Sequence, residues 1–201
     1  VSNKEISIDA LRLNCNQLRE NNSGDIVDEP AHFDSFIVTD NGNGFNTENY
    51  GSFMEAYSQF KVKKGCKGIG RVLWLKAFRS VSIDSTDFEK AQWHNRSFDF
   101  SLSGITPEQN DGTVPSKAAI QQTIVSLNDF MNPYRDSVPY SLESLAKKLI
   151  EHCLPYFITG SCPQIVLRDS LGESLDLNNY YEKTYKDSLH QDIIELDGKD
   201  Y

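Results

Sequence analysis

Hydrophobic and polar residues alternate along several short stretches of this chain, and such alternation is typical of β-strands with one buried face. In residues 4–13, Ile6, Ile8 and Ala10 fall on one face, while charged and hydroxyl residues fall on the other. Further strands are predicted at 81–84, 93–102, 120–127 and 164–167. The strands between 81 and 127 look antiparallel, so the pattern predicts a sheet as the centre of the fold.

Other stretches have the apolar spacing of helices. The longest spans 141–157, where Ser141 can cap the N-terminus and Pro155 lies in the last turn. A second helix is predicted at 71–79, and a short one begins near Thr47, which opens a capping segment, and ends by residue 57. Loops or polar tails are predicted at 14–34, at 106–117 and from 178 onward.

Residues 36–45, Phe-Ile-Val-Thr-Asp-Asn-Gly-Asn-Gly-Phe, join an apolar run to an aspartate and a glycine turn. Phe36, Ile37 and Val38 are typical of a strand buried on both faces, and the strand is predicted to end at Asp40. The Asn and Gly residues that follow accept positive φ at little cost. A carboxylate at the end of a buried strand, followed by bare backbone, suits a small polar ligand, although this pattern also occurs in plain loops.

Residues 65–70, Gly-Cys-Lys-Gly-Ile-Gly, are a second glycine-rich stretch. Arg71 and the apolar run 72–75 follow them directly, which predicts a glycine loop that feeds the N-terminus of a helix. Free N–H groups and the helix dipole at such an end favour an anion such as phosphate. Glycines before a helix are common, so it is the two stretches together, in this order, that are specific.

Together the two stretches resemble the boxes of the GHKL ATPases, the family of gyrase, the large heat-shock chaperone, histidine kinases, MutL and MORC. Asp40-Asn-Gly-Asn-Gly44 is similar to the adenine-reading box, and residues 65–70 are similar to the phosphate-covering box. The resemblance covers roughly residues 1–130. It implies a Bergerat fold, which is an α+β two-layer sandwich with a mixed, mostly antiparallel sheet and helices on one face. Residues 131–201 are predicted to form a helix–strand extension that can lead into a further domain.

The resemblance also implies roles for single residues. Asp40 would accept the adenine N–H, Gly42 and Gly44 would let the backbone approach the base, and Thr123 would order water near Asp40. The loop and the helix start would contact the phosphates. The nucleotide-binding residues expected on this basis are Asp40, Gly42, Gly44, Lys67, Gly68, Ile69, Gly70, Arg71 and Thr123. Residues 58–67 would form a short lid.

The magnesium ligand of the family is an Asn on a helix that precedes the first strand. We hypothesise that Asn3 is this residue and that the sequence omits residues before it and between Asn3 and Lys4; a frayed terminus is the alternative. The family's general-base glutamate is not found in this sequence. No catalytic residue is therefore predicted, and ATP hydrolysis is implied only for the full-length protein.

The composition of the chain excludes some classes of binding partner and cellular setting. The chain has 20 Lys+Arg against 29 Asp+Glu, a net charge of −9, which disfavours direct nucleic-acid binding as its main role. Its four cysteines show no zinc-type pair, which fits free thiols and a reducing cytoplasm. No apolar run is long enough to span a membrane, and no signal peptide is visible.

We therefore expect an ATP-binding domain that binds Mg-ATP, ATP or ADP, closes a short lid over the nucleotide and gates a conformational or homodimerisation switch. The glycine-box region looks closer to the Hsp-like and MutL/MORC-like branch than to the histidine kinases. Two alternatives stay open. One is a histidine-kinase-type catalytic domain, and the other is a nucleotide-sensing module without chemistry, which the missing glutamate allows.

Overall fold

The computed structural model describes residues 4–12, 17–20, 26–29, 32–55, 70–106, 109–113, 119–186, 195–196 and 199–200. The strands are β1 (Glu5–Arg12), β2 (Gln17–Glu20), β3 (Ile26–Glu29), β4 (Phe33–Asp40), β5 (Phe78–Glu89), β6 (Gln92–Ser101), β7 (Gly104–Ile105), β8 (Gln109–Thr113), β9 (Gln122–Phe130), β10 (Gln164–Asp169), β11 (Ser174–Asp176), β12 (Glu195–Leu196) and β13 (Lys199–Asp200). The helices are α1 (Thr47–Met54), α2 (Gly70–Ala77), α3 (Leu142–Ile158) and α4 (Leu177–Thr184), with a 3-10 turn at Arg135–Ser137.

Nine strands form one sheet in the order β11-β10-β1-β4-β9-β5-β6-β7, and β8 also pairs with β6. Only the β1–β10 pair is parallel among the pairs that make up this sheet in the described chain. Two small hairpins, β2–β3 and β12–β13, stand apart from this sheet. The predicted mixed, mostly antiparallel sheet is therefore confirmed.

The apolar positions of the strands share one face because the antiparallel register brings them opposite one another. Phe36 lies opposite Leu127, Val38 opposite Val125, and Ile83 also pairs with Val125. The helices cover this face, so the prediction of helices on one side of a two-layer sandwich is confirmed. The opposite face carries mainly Ser, Thr, Asn, Gln and Asp side chains.

Two apolar clusters hold the helices to this face. α3 and α4 bury Leu142, Ile150 and Leu177 against the β1, β4 and β10 end of the sheet. α1 and α2 bury Phe53 and Leu75 against the β5, β6 and β9 end. The sheet surface between the two clusters is less covered, and this is where a cavity forms.

A buried ion pair fastens β10 to β1. Arg12 Nη2 lies 2.6 Å from Asp169 Oδ2, and Arg12 Nε donates to both carboxylate oxygens at 3.0–3.1 Å. The guanidinium also lies 4.2 Å above the Phe33 ring. Burial raises the pKa of Asp169, but the hydrogen bonds from Arg12 and from the Leu171 N–H outweigh burial, so this pKa lies below its ordinary value.

Several local predictions are wrong. The polar stretch 14–34 contains β2, β3 and the start of β4, and the predicted loop 106–117 contains β8. Strand pairing overrides weak local patterns, and β8 gains its order by pairing with β6. The predicted polar tail begins with α4, which buries Leu177 and Tyr181.

The ends of two helices also differ from prediction. The N-cap of α1 is Asn46 rather than Thr47, because Asn46 Oδ1 accepts the Asn49 N–H at 2.8 Å. α2 ends at Ala77, and the next strand starts at Phe78, whose ring is buried in the larger apolar cluster. Ile37 faces the open side of the sheet and is only half-buried, so β4 is not buried on both faces.

Candidate functional site

A cavity of about 720 Å³ opens on the helical face of the sheet, between the two apolar clusters. Val38, Val125 and Leu127 from β4 and β9 form its apolar floor. Phe45 and Trp74 add aromatic side chains from the loop before α1 and from α2. The cavity thus offers an apolar surface and a volume in the range that small-molecule ligands use.

Asp40 lies at the end of β4 and lines this cavity. It is the register partner of Thr123 on β9, which lines the cavity too and is 4% exposed. Asp40 Oδ1 accepts the Gly42 N–H at 2.8 Å. Within the described residues Oδ2 accepts no hydrogen bond, so this carboxylate keeps acceptor capacity for a ligand.

The two glycines after Asp40 are required by close contacts. A Cβ on Gly42 would lie 2.7 Å from Asp40 Oδ1. Gly44 has φ +68°, and a Cβ there would lie 2.8 Å from Ser85 Oγ and 3.0 Å from the Cβ of Asp87. Only glycine fits both the left-handed backbone and the space at Gly44.

Two side chains from the sheet hold the backbone of Phe45. Ser85 Oγ accepts the Phe45 N–H at 2.8 Å and lies 3.0 Å from Thr123 Oγ1. Arg96 Nη1 donates to the Phe45 carbonyl at 2.6 Å, and its guanidinium lies 4.5 Å above the Tyr50 ring. Ser85 is fully buried, so this arrangement fixes the glycine turn to β5, β6 and β9 together.

Two amide side chains hold the glycine carbonyls of the same turn. Gln121 Nε2 donates to the Gly42 carbonyl at 2.8 Å, and Asn49 Nδ2 donates to the Gly44 carbonyl at 2.7 Å. The start of α1 is held as well, because the Thr47 hydroxyl and N–H donate to Glu89 Oε2 at 2.7 and 3.3 Å. These hydrogen bonds lower the pKa of Glu89. The turn is therefore preorganised before any ligand arrives.

The structure brings together four of the residues predicted to bind nucleotide: Asp40, Gly42, Gly44 and Thr123 all line the cavity. Gly70 and Arg71 open α2, as the glycine loop predicts, but neither lines the cavity. The Arg71 guanidinium lies 5.1 Å from the Phe53 ring, and its Nη1 donates to the Ser52 carbonyl at 3.4 Å.

Other predicted residues lie outside the described part of the chain. They are Lys67, Gly68 and Ile69 of the glycine loop, Asn3 as the magnesium ligand, and the lid at 58–67. In the described residues no cluster of three or more His, Cys, Asp or Glu side chains could hold a metal ion. Nor is any helix of the described ranges both long and apolar enough to cross a lipid bilayer.

Sequence reasoning missed Ser85, Gln121 and Trp74 as parts of the site. Ser85 carried a signal, because a polar residue follows Val81 and Ile83 at an inward position of the same strand. Trp74 is one helical turn after Gly70, so it falls on the same face of α2. Gln121 precedes its strand, and nothing in its local sequence indicates its hydrogen bond to Gly42.

Comparisons with solved structures find similar chains. The ATPase region of Saccharomyces cerevisiae topoisomerase II bound to dexrazoxane matches with a TM-score of 0.50 and 17% identity, over 94% of this chain and 47% of that one. The Aquifex aeolicus MutL ATPase domain complexed with ADP matches at 0.45 and 15%, over 86% and 55%. The Thermus thermophilus gyrase B 43K ATPase domain complexed with an aminocoumarin matches at 0.46 and 16%, over 86% and 39%.

No protein-family model and no curated protein sequence matches the chain. The chain spans between 39% and 55% of the length of the three structures described above. The topoisomerase II match shows that this chain has the fold of the GHKL ATP-binding domains, the Bergerat fold, so the fold expected from the two glycine boxes is confirmed.

Proposed function

We propose that this chain is the ATP-binding domain of a GHKL-type ATPase and that the cavity beside Asp40 takes the adenine end of Mg-ATP. The observation that carries the proposal is that Asp40, Gly42, Gly44 and Thr123, assigned to adenine by the resemblance, line one cavity. That cavity has an apolar floor and a carboxylate with acceptor capacity at its edge. A planar base with an N–H donor fits this chemistry.

Asp40 would select adenine over guanine. An ionised carboxylate only accepts hydrogen bonds. Adenine carries an exocyclic N–H₂ donor where guanine carries a carbonyl acceptor. Guanine would therefore leave the carboxylate facing another acceptor, while adenine would gain a charge-assisted hydrogen bond worth about 1.5–3 kcal/mol. The neighbouring Thr123 would hold ordered water beside the same carboxylate.

The phosphates would extend toward the start of α2. Gly70 opens this helix, and a helix N-terminus favours an anion. Lys67, Gly68 and Ile69 complete the phosphate contacts in this proposal, and Arg71 supplies a positive charge after leaving Phe53. Asn3 would bind the magnesium ion. Nucleotide binding would then close the lid at 58–67 and gate a conformational or dimerisation switch.

The test is calorimetry of ATP, ADP and GTP binding with magnesium, on the wild type and on Asp40→Asn. We expect the wild type to bind ATP and ADP, and Asp40→Asn to bind ATP at least about tenfold more weakly, since it loses a charge-assisted hydrogen bond. Asp99→Ala is the matched control, because Asp99 is an exposed carboxylate on the polar face of the same sheet. It should bind ATP like the wild type.

A well-folded wild type that binds neither ATP nor ADP refutes the proposal, as does equal ATP binding by the wild type and Asp40→Asn. A turnover assay on the same samples distinguishes the ATPase from the two alternative functions. ATP binding without phosphate release favours the nucleotide-sensing module, and transfer of the phosphate to a partner protein favours the histidine-kinase type.

A further inference from the structure

Trp74 lines the cavity from a helix that otherwise stays outside it. Of the residues that the structure describes, it is the only one from α2 on the cavity wall, and its side chain is half-buried. The next residue, Leu75, is 8% exposed and packs in the cluster around Phe53. The backbone that carries the Trp74 ring is therefore fixed by the core.

The Trp74 side chain has unused binding capacity. Within the described residues the indole N–H makes no hydrogen bond, and it is not one of the enclosed polar atoms that lack a partner, so it remains accessible to a ligand. The ring centroid lies 6.3 Å from that of Phe53, with a tilt of 35° between the rings. An aromatic face and a free donor thus stand together at the wall of a cavity with an apolar floor.

Trp74 lies on the same helix as the proposed phosphate contacts, which are at the start of α2. Gly70 and Trp74 are four residues apart in α2 and so share one face of the helix. The face of α2 that carries Gly70 therefore also carries Trp74, which lines the cavity.

We propose that Trp74 is an affinity-determining ligand contact, whose indole ring stacks on the heteroaromatic base of a bound nucleotide. This inference rests on the proposed function, but it assigns a different task. Asp40 decides which base is accepted, and Trp74 determines how tightly an accepted base is held. It also connects occupation of the base site to the helix that begins at Gly70.

The second tryptophan of the chain makes a direct optical test available. The sequence has two tryptophans, and Trp93 lies near the end of the β5–β6 hairpin, 5.1 Å from Phe88 and away from the cavity lining. Trp93→Phe therefore leaves Trp74 as the sole indole. Titration of this variant with ATP should change its fluorescence emission, with the same midpoint that calorimetry gives.

Substitutions of Trp74 test how much its ring contributes to the affinity for ATP. Trp74→Leu should weaken ATP binding at least about fivefold, the lower end of the effect of removing a base–aromatic stack. Trp74→Phe keeps a ring and should lose less. Leu75→Ala is the control for loosening of α2, because it removes a buried side chain of the same helix that does not line the cavity. It should lower the melting temperature more than Trp74→Leu and weaken ATP binding less.

The outcomes are distinguishable. If the wild type binds ATP in calorimetry, but the emission of Trp93→Phe stays constant and Trp74→Leu binds within twofold of the wild type, this inference is overturned and the proposed function stands. Equal weakening by Leu75→Ala and Trp74→Leu also overturns it, since the effect would then come from the helix and not the ring. Absence of ATP binding in the folded wild type overturns both.

Discussion

Ser85 offers the sharpest test of how the site is held together. Its hydroxyl accepts the Phe45 N–H at 2.8 Å and lies 3.0 Å from Thr123 Oγ1, and its side chain is fully buried. Ser85→Ala removes one atom and leaves the partly buried Phe45 N–H and the buried Thr123 hydroxyl without this partner. Each such group costs about 1–3 kcal/mol, and because the Thr123 hydroxyl can rotate, we expect a total loss of about 2–4 kcal/mol.

Urea denaturation followed by circular dichroism measures this loss. For a chain of this size, each kcal/mol corresponds to a fall of about 2–4 °C in melting temperature. Ser82→Ala is the matched control, because Ser82 lies on the polar face of the same strand, and its effect should stay within about 0.5 kcal/mol. A Ser85→Ala variant as stable as Ser82→Ala would refute the view that this hydroxyl fixes the glycine turn.

Three further predictions concern residues around the sheet. Asp169→Asn should destabilise the fold by about 3–5 kcal/mol in urea denaturation, because it leaves the Arg12 guanidinium buried without a counter-charge. The pKa of Asp169 is lowered in the fold, so its contribution to the free energy of unfolding is present above the ordinary carboxyl pKa and is lost as the pH falls through the lowered value. The free energy of unfolding should therefore fall more steeply with acid in the wild type than in Asp169→Asn. Gly44→Ala should weaken ATP binding and lower the melting temperature, because its Cβ would lie 2.8 Å from Ser85 Oγ at a positive φ; calorimetry and thermal melts showing wild-type behaviour would contradict this. Asn46→Ala should cost about 1 kcal/mol by removing the cap of α1, and unchanged stability would show that the cap contributes nothing.

The sequence predicted the parts of the site that depend on local chemistry. Asp40 could be placed at a strand end because an apolar run meets a glycine turn there, and Thr123 could be placed on an inward face by alternation. Each of these two signals is contained in a short stretch of consecutive residues, so neither required knowledge of the whole sheet.

The parts that were missed depend on distant pairing. β8 is ordered by β6, and the Gln121 side chain reaches a carbonyl 79 residues away in the chain. Arg71 lies at the start of α2 as predicted, but its guanidinium lies over the Phe53 ring, a cation–π contact, and Arg71 does not line the cavity. Local patterns carry no information on such contacts.

The single parallel pairing in the large sheet has a consequence for synthesis. β1 lies between β4 and β10, and β10 starts at Gln164, late in the chain. The ribosome therefore synthesises β1, β4 and the glycine turn after Asp40 long before β10, the strand that pairs with the second edge of β1. Until β10 is synthesised, β1 has an unpaired edge and Arg12 lacks its ion-pair partner Asp169. The growing chain can therefore form the glycine turn while its sheet still has an exposed edge strand.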